Sequence, residues 1–189
     1  MRFLSDRVSM EETEGATSVV ISARLKPAAR TLLVTWTLAW TLCGAYMMWE
    51  LIRMPPGEIR QYLLVFMAFW LYFEIRIGRA LLWRLYGFEL LRIKDGVFTI
   101  KDSIWGFGTA RDHFLENVND LRVLDIDEAS WKWQMNESFW VIGGERLQFE
   151  HLGRTQAFGK GLTAEESRAV LKELQRAIGR SARRAAAGK

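Results

Sequence analysis

Hydrophobic and polar positions change their rhythm twice along this chain. Residues 1–30 are largely polar, with an acidic patch at Glu11, Glu12 and Glu14. They contain no cleavable apolar leader and are expected to form an N-terminal cytoplasmic segment. From Thr31 to Trp49 the next 19 residues carry no charge. A helix rises about 1.5 Å per residue, so roughly 20 such residues cross a bilayer core of about 30 Å. Glu50, Arg53 and the Pro55-Pro56-Gly57 turn end that run. A second apolar run, QYLLVFMAFWLYF, starts at Gln61 and continues through Ile75, Ile77 and Ala80 to Trp83. It is shorter, and Glu74, Arg76 and Arg79 lie near its end. Beside the first span and a tight turn, it reads as the return arm of a hairpin spanning 31–86, with helices over about 31–52 and 60–83.

After Gly87 the period falls to two. Phe88–Lys94 and Val97–Lys101 flank Asp95-Gly96, a strong hairpin signal. Further short strands are expected over Ser103–Arg111, Val118–Ile126, Trp131–Met135, Phe139–Ile142, Glu145–Leu152 and Thr155–Phe158. The last element is a helix from Thr163 to Ile178, opened by a Thr163/Glu166 capping box and carrying Val170, Leu171, Leu174, Ala177 and Ile178 on one face. The expected organisation is therefore an N-terminal segment (1–30), a helical hairpin (31–86), a domain (87–179) and a basic disordered tail (180–189).

Charge sets an expected orientation. Arg24, Lys26 and Arg30 precede the first span, and Arg76, Arg79, Arg84, Arg92 and Lys94 follow the second. The turn holds only Arg53 and Arg60, which places both termini in the cytoplasm. Six basic residues, Arg76, Arg79, Arg84, Arg180, Arg183 and Arg184, are expected at the membrane surface. In the spans, Thr37, Thr41, Gly44 and Ala45 form a small-residue strip suited to helix packing. Trp36, Trp40, Phe66, Phe69, Trp70 and Phe73 form bulky faces for lipid or a partner. Trp105, Trp131, Trp133 and Trp140 are candidate partner contacts, since Trp is enriched at interface hot spots.

Chemistry is sparse. One cysteine, Cys43, and two histidines, His113 and His151, leave little for metal or nucleophilic catalysis. No carboxylate pair has a fixed spacing for acid–base work. The run Gly153–Gly161 has five residues before Gly159-Lys160 and a glycine where a phosphate-binding loop needs Ser or Thr. No cofactor, catalytic residue or nucleic-acid partner is expected.

Short antiparallel strands followed by one helix, the hairpin RIKDGVFTI and the ending FGKGLTAEESRAVLKEL together resemble the pleckstrin-homology (PH) fold. With a transmembrane hairpin in front, the chain resembles bacterial membrane proteins that carry PH-like domains, a group related in architecture to photosynthetic-complex assembly proteins. The fold class implied is an α+β membrane protein: a two-helix transmembrane hairpin, then a PH-like antiparallel barrel or sandwich capped by a C-terminal helix. The resemblance implies an accessory, assembly or structural subunit in the bacterial inner membrane, with other integral membrane subunits and lipids as partners. The alternative is a tethered module that recognises anionic lipids through Arg92, Lys94, Lys101 and Arg111.

Overall fold

A computed structural model describes residues 1–138 and 140–187, without the side chains of 185–187. It is an α+β structure. Strands β1 (Arg2–Phe3), β2 (Val8–Thr13) and β3 (Ala16–Ser22) come first. Helices α1 (Pro27–Arg53) and α2 (Glu58–Tyr86) follow, and then strands β4 (Gly87–Lys94), β5 (Val97–Ile104) and β6 (Ala110–Phe114). A 3-10 turn leads to β7 (Val118–Val123), helix α3 (Trp131–Glu137), β8 (Glu145–His151), β9 (Arg154–Lys160) and helix α4 (Ala164–Ala187).

The polar N-terminal segment is not separate from the domain. β1 to β6 form one six-stranded antiparallel sheet in sequence order, and β3 pairs along its whole length with β4, from Ala16–Lys94 to Ser22–Phe88. The pair of helices is thus inserted between two neighbouring strands. Within β2 and β3 the alternation Val8, Met10 and Val19, Ile21 faces the core, while Glu11, Glu12 and Glu14 lie outside it. β7, β8 and β9 form a second, three-stranded sheet. Each sheet keeps two free edges, so the closed barrel expected from the sequence does not form.

The core lies between the sheets and under α4. Phe98, Phe149 and Phe158 meet edge to face at 5.6–5.7 Å, with Leu91, Ile100, Leu147, Val170 and Leu174 around them. Helix α4 opens with the expected capping box: Glu166 N–H donates to Thr163 Oγ1 (3.2 Å), and Thr163 N–H donates to Glu166 Oε2 (2.8 Å).

Three local expectations fail. Trp131–Met135 is helical, because the WKWQM alternation also satisfies a single helical turn: Trp131 and Met135 share the exposed side and Trp133 is buried. Trp140 to Ile142 form turn and bend rather than strand, and Phe139 lies outside the described residues. The tail from 180 is not disordered: SARRAAA holds good helix formers and extends α4 to Ala187.

Of the two long helices, α1 is by itself long and apolar enough to cross a membrane. Helix α2 matches it in length but carries Glu74, Arg76, Arg79 and Arg84 in its second half. Because β2 and β3 contribute Val8, Met10, Val19 and Ile21 to the core, a chain beginning at Ala23 should lose the fold. Size-exclusion chromatography in mild detergent should show aggregate in place of a single species.

Candidate functional site at the helix–sheet junction

Helix α2 becomes β4 without a loop: Gly87 caps the helix by donating its N–H to Trp83 O and is already in extended conformation. A side chain at 87 would strike both the Trp83 carbonyl and its indole, so glycine is required. Ala23 N–H donates to Gly87 O (3.1 Å), tying the approach to α1 to the end of α2.

Around this junction the two sheets are joined by charge. Glu89 sits on the core side of β4 and is 1% exposed. Its Oε2 accepts the N–H groups of Gly159 and Lys160, each at 2.9 Å. Gly159 has φ +77°, a left-handed conformation that turns both amides toward the carboxylate. Lys160 Nζ donates to Asp102 at 2.6 Å and lies 5.7 Å from the Trp83 ring. Burial pushes the Glu89 pKa up to about 7, against the opposing pull of Lys160 and the two amides. Lys160, the basic residue of the glycine-rich run, is therefore already engaged by a carboxylate. Nearby, Arg7 bonds Gly161 O (2.9 Å) and Glu166 (2.8 Å), and Ser5 donates to Glu166 (2.7 Å). Burial disfavours the Glu166 charge, but bonds from Thr163, Ser5 and Arg7 outweigh it and hold its pKa below the usual range.

The residues expected in the helices separate into contact and surface. Thr37 is buried, and Thr41 donates to Glu74 Oε1 at 2.7 Å. A Cβ on Gly44 would fall on the Trp70 indole, while Ala45 faces away and is exposed. Trp70 fills the interhelical contact and donates to Trp40 O (3.2 Å), so Trp70 and Trp40 are half-buried instead of facing outward. Trp36, Phe66, Phe69 and Phe73 are exposed.

The six expected surface arginines divide as well. Arg76 and Arg79 are exposed on α2. Arg84 is 5% exposed and donates to Ser138 O and Val141 O, holding the loop after α3 against the helix, so it is no surface residue. Arg180, Arg183 and Arg184 lie at the far end of the sheet. Arg180 pairs with Glu12 (3.2 Å), and Arg180 and Arg184 line a cleft with Asp95 and Gly96. β4 runs eight residues from Gly87 to Lys94, which puts its far end roughly 23 Å from the helices and separates these three from Arg76 and Arg79.

Among the tryptophans, Trp133 is buried under the Arg146 guanidinium (4.9 Å), so it is a packing residue and not a partner contact. Trp105 is exposed against Tyr86 (4.7 Å), Trp131 is exposed, and half-buried Trp140 meets Trp36 at 5.9 Å. The basic residues proposed for lipid on the sheet have local partners: Lys94 with Asp95, Arg111 with Asp102, and Lys101 with Gly106 O; Arg92 is exposed on β4. His113 and His151 meet at 4.6 Å across the two sheets, and burial, with His151 and Arg111 adding to it, pushes the His113 pKa down. Among the described residues no group of three or more His, Cys, Asp or Glu is arranged to hold a metal.

No family model matches this chain, and neither the curated proteins nor the solved structures contain a significant match.

Two predictions follow from this geometry. Glu89 has a higher pKa folded than its ordinary 4.5, so its contribution to stability is greatest below that value and falls as pH rises through about 7. Relative to wild type, Glu89→Gln should therefore gain stability between pH 5 and pH 8, by on the order of 3 kcal/mol, in paired thermal or denaturant melts. Gly44→Leu should force α1 and α2 apart at Trp70 and lower the melting temperature in detergent, at a cost of about 3 kcal/mol, with partial recovery on adding Trp70→Ala.

Proposed function

We propose that this chain is a non-enzymatic integral membrane protein whose α1 and α2 both enter the bilayer as a hairpin, with the sheet domain and both termini on the cytoplasmic side of a bacterial inner membrane. The observation that carries the reading is the apolar surface of α2. It exposes Ile59, Tyr62, Phe66, Phe69 and Phe73 as openly as α1 exposes Leu38, Leu42, Tyr46 and Trp49. A continuous face of that size is untenable in water. Charged groups in α2 are accommodated: Glu74 receives the Thr41 hydroxyl, Arg84 caps loop carbonyls, and Arg76 and Arg79 reach the head-group level. Exposed Trp105, which packs on Tyr86, and Phe107 lie beside the point where α2 meets the sheet, as aromatic side chains do at a membrane interface.

Within the membrane the chain serves as an accessory, assembly or structural subunit of a larger complex, for which a pigment-containing complex is one candidate. The order of strands and closing helix supports an open, PH-like variant for the domain. The partner of choice is another integral membrane subunit, met by the exposed aromatic faces of the hairpin.

In a Cys43→Ala background, a cysteine placed at Gly57 should react with an impermeant maleimide in intact cells, whereas one at Gly96 should react only after lysis. Labelling of both, or of neither, in intact cells sinks the topology. Mild-detergent extraction should then bring the chain out within a larger assembly, and a lone monomer would refute the subunit reading.

A further inference from the structure

We propose that the face of α2 below the Trp140 loop is a binding site for a single anionic phospholipid, a reading that rests on the insertion of α2 proposed above. Two adjoining clefts of about 440 and 390 Å³ share Tyr72, Arg76, Trp140 and Val141, and a third of about 400 Å³ continues them over Phe69 and Phe73. Phe69, Tyr72, Phe73, Arg76 and Arg79 follow one another at spacings of three, one, three and three, so they share one helical face. Together they form a track that is apolar at one end and cationic at the other. Arg76 lies 18 residues beyond Glu58, and at about 1.5 Å per residue that is roughly 27 Å, one bilayer core away from the opposite surface. The cationic end is thus at head-group depth and the apolar end at acyl-chain depth.

The charge at this site has no carboxylate partner, unlike that of most other basic groups around the junction. Arg7, Arg111, Arg146 and Lys160 each pair with a carboxylate. Arg76 bonds only the Tyr72 hydroxyl (2.9 Å), and Arg79 has no hydrogen-bond or ion-pair partner among the described residues. No Asp or Glu lines any of the three clefts. Two guanidinium groups fit a phosphate diester, through forked N–H donors. The absence of a carboxylate in the linings selects a head group without a cation, because a choline or ethanolamine ammonium would find no counter-charge there. The Trp140 loop, held down by Arg84 on Val141 O and by the Trp36 ring, roofs the head-group end. Bound lipid would brace the domain against α2.

The test is native mass spectrometry of the full chain released from mixed micelles holding phosphatidylglycerol and phosphatidylcholine in equal amounts. Wild type should retain phosphatidylglycerol about thirtyfold over phosphatidylcholine, the preference two basic groups at roughly 1 kcal/mol each give at an anionic head group. Arg76→Gln with Arg79→Gln should abolish the preference without changing phosphatidylcholine retention, and the Arg→Lys pair should keep most of it. Arg92→Gln, on β4, should leave it unchanged. Equal retention of the two lipids by wild type, or an unaltered preference in the Gln pair, overturns the proposal. Competition by glycerol phosphate at the same concentration as the lipid would show a free-phosphate site and overturn the acyl track. Alkaline carbonate washing of native membranes keeps the two readings apart: release of the chain defeats insertion itself, whereas retention without lipid preference defeats only this site.

Discussion

The pairing of β3 with β4 is the constraint from which the rest of the molecule is arranged. Seven residues on each side run in register, and between them the chain leaves the sheet, makes two helices of 27 and 29 residues, and returns. Two strands that lie side by side in space are thus separated by more than sixty residues of sequence. Closing so long a loop has an entropic cost that grows only slowly with length, and the helical pair recovers it by packing Gly44 on Trp70 and Thr41 on Glu74. Both inner helix ends must then emerge next to each other, which the Ala23–Gly87 bond enforces.

The second organising feature is the way charge is placed at the junction. Glu89 occupies a position that alternation along β4 reserves for a core residue, and it is tolerated because two consecutive amides of β9 aim at it. Asp102 and Lys160 complete the bridge between the sheets. Further along the same core the aromatic cluster of Phe98, Phe149 and Phe158 and the His113–His151 contact also join them.

How much was readable in the sequence varies with how local each signal is. The uncharged run of α1, the Asp95-Gly96 hairpin and the Thr163/Glu166 cap are set by neighbours a few residues away, and each is legible. The N-terminal strands are hidden, although Val8, Met10, Val19 and Ile21 alternate cleanly, because their partner strand lies beyond both helices. Trp133 and Trp131 look alike in a list of residues; only the Arg146 stack, a contact from another strand, makes one of them core. Arg84 is indistinguishable in sequence from its neighbours Arg76 and Arg79; only the carbonyls of residues 138 and 141, far along the chain, set it apart. At the candidate site, Glu89 did leave a trace: a carboxylate on the inward beat of an apolar strand asks for two donors, and a glycine with positive φ supplies them.

The absence of a loop between Tyr86 and Gly87 has a mechanical side. A peptide linker would let the sheets swivel freely over the helices; here the last helical turn and the first strand residue are the same few atoms, braced by Trp83 against Lys160. Tilting α2 by some angle must carry β4, and with it the five other strands of its sheet, through a similar angle. The molecule behaves as a lever with its fulcrum at residue 87, and a change in helix slope becomes a displacement of the sheet's outer end several times larger than any shift at the hinge.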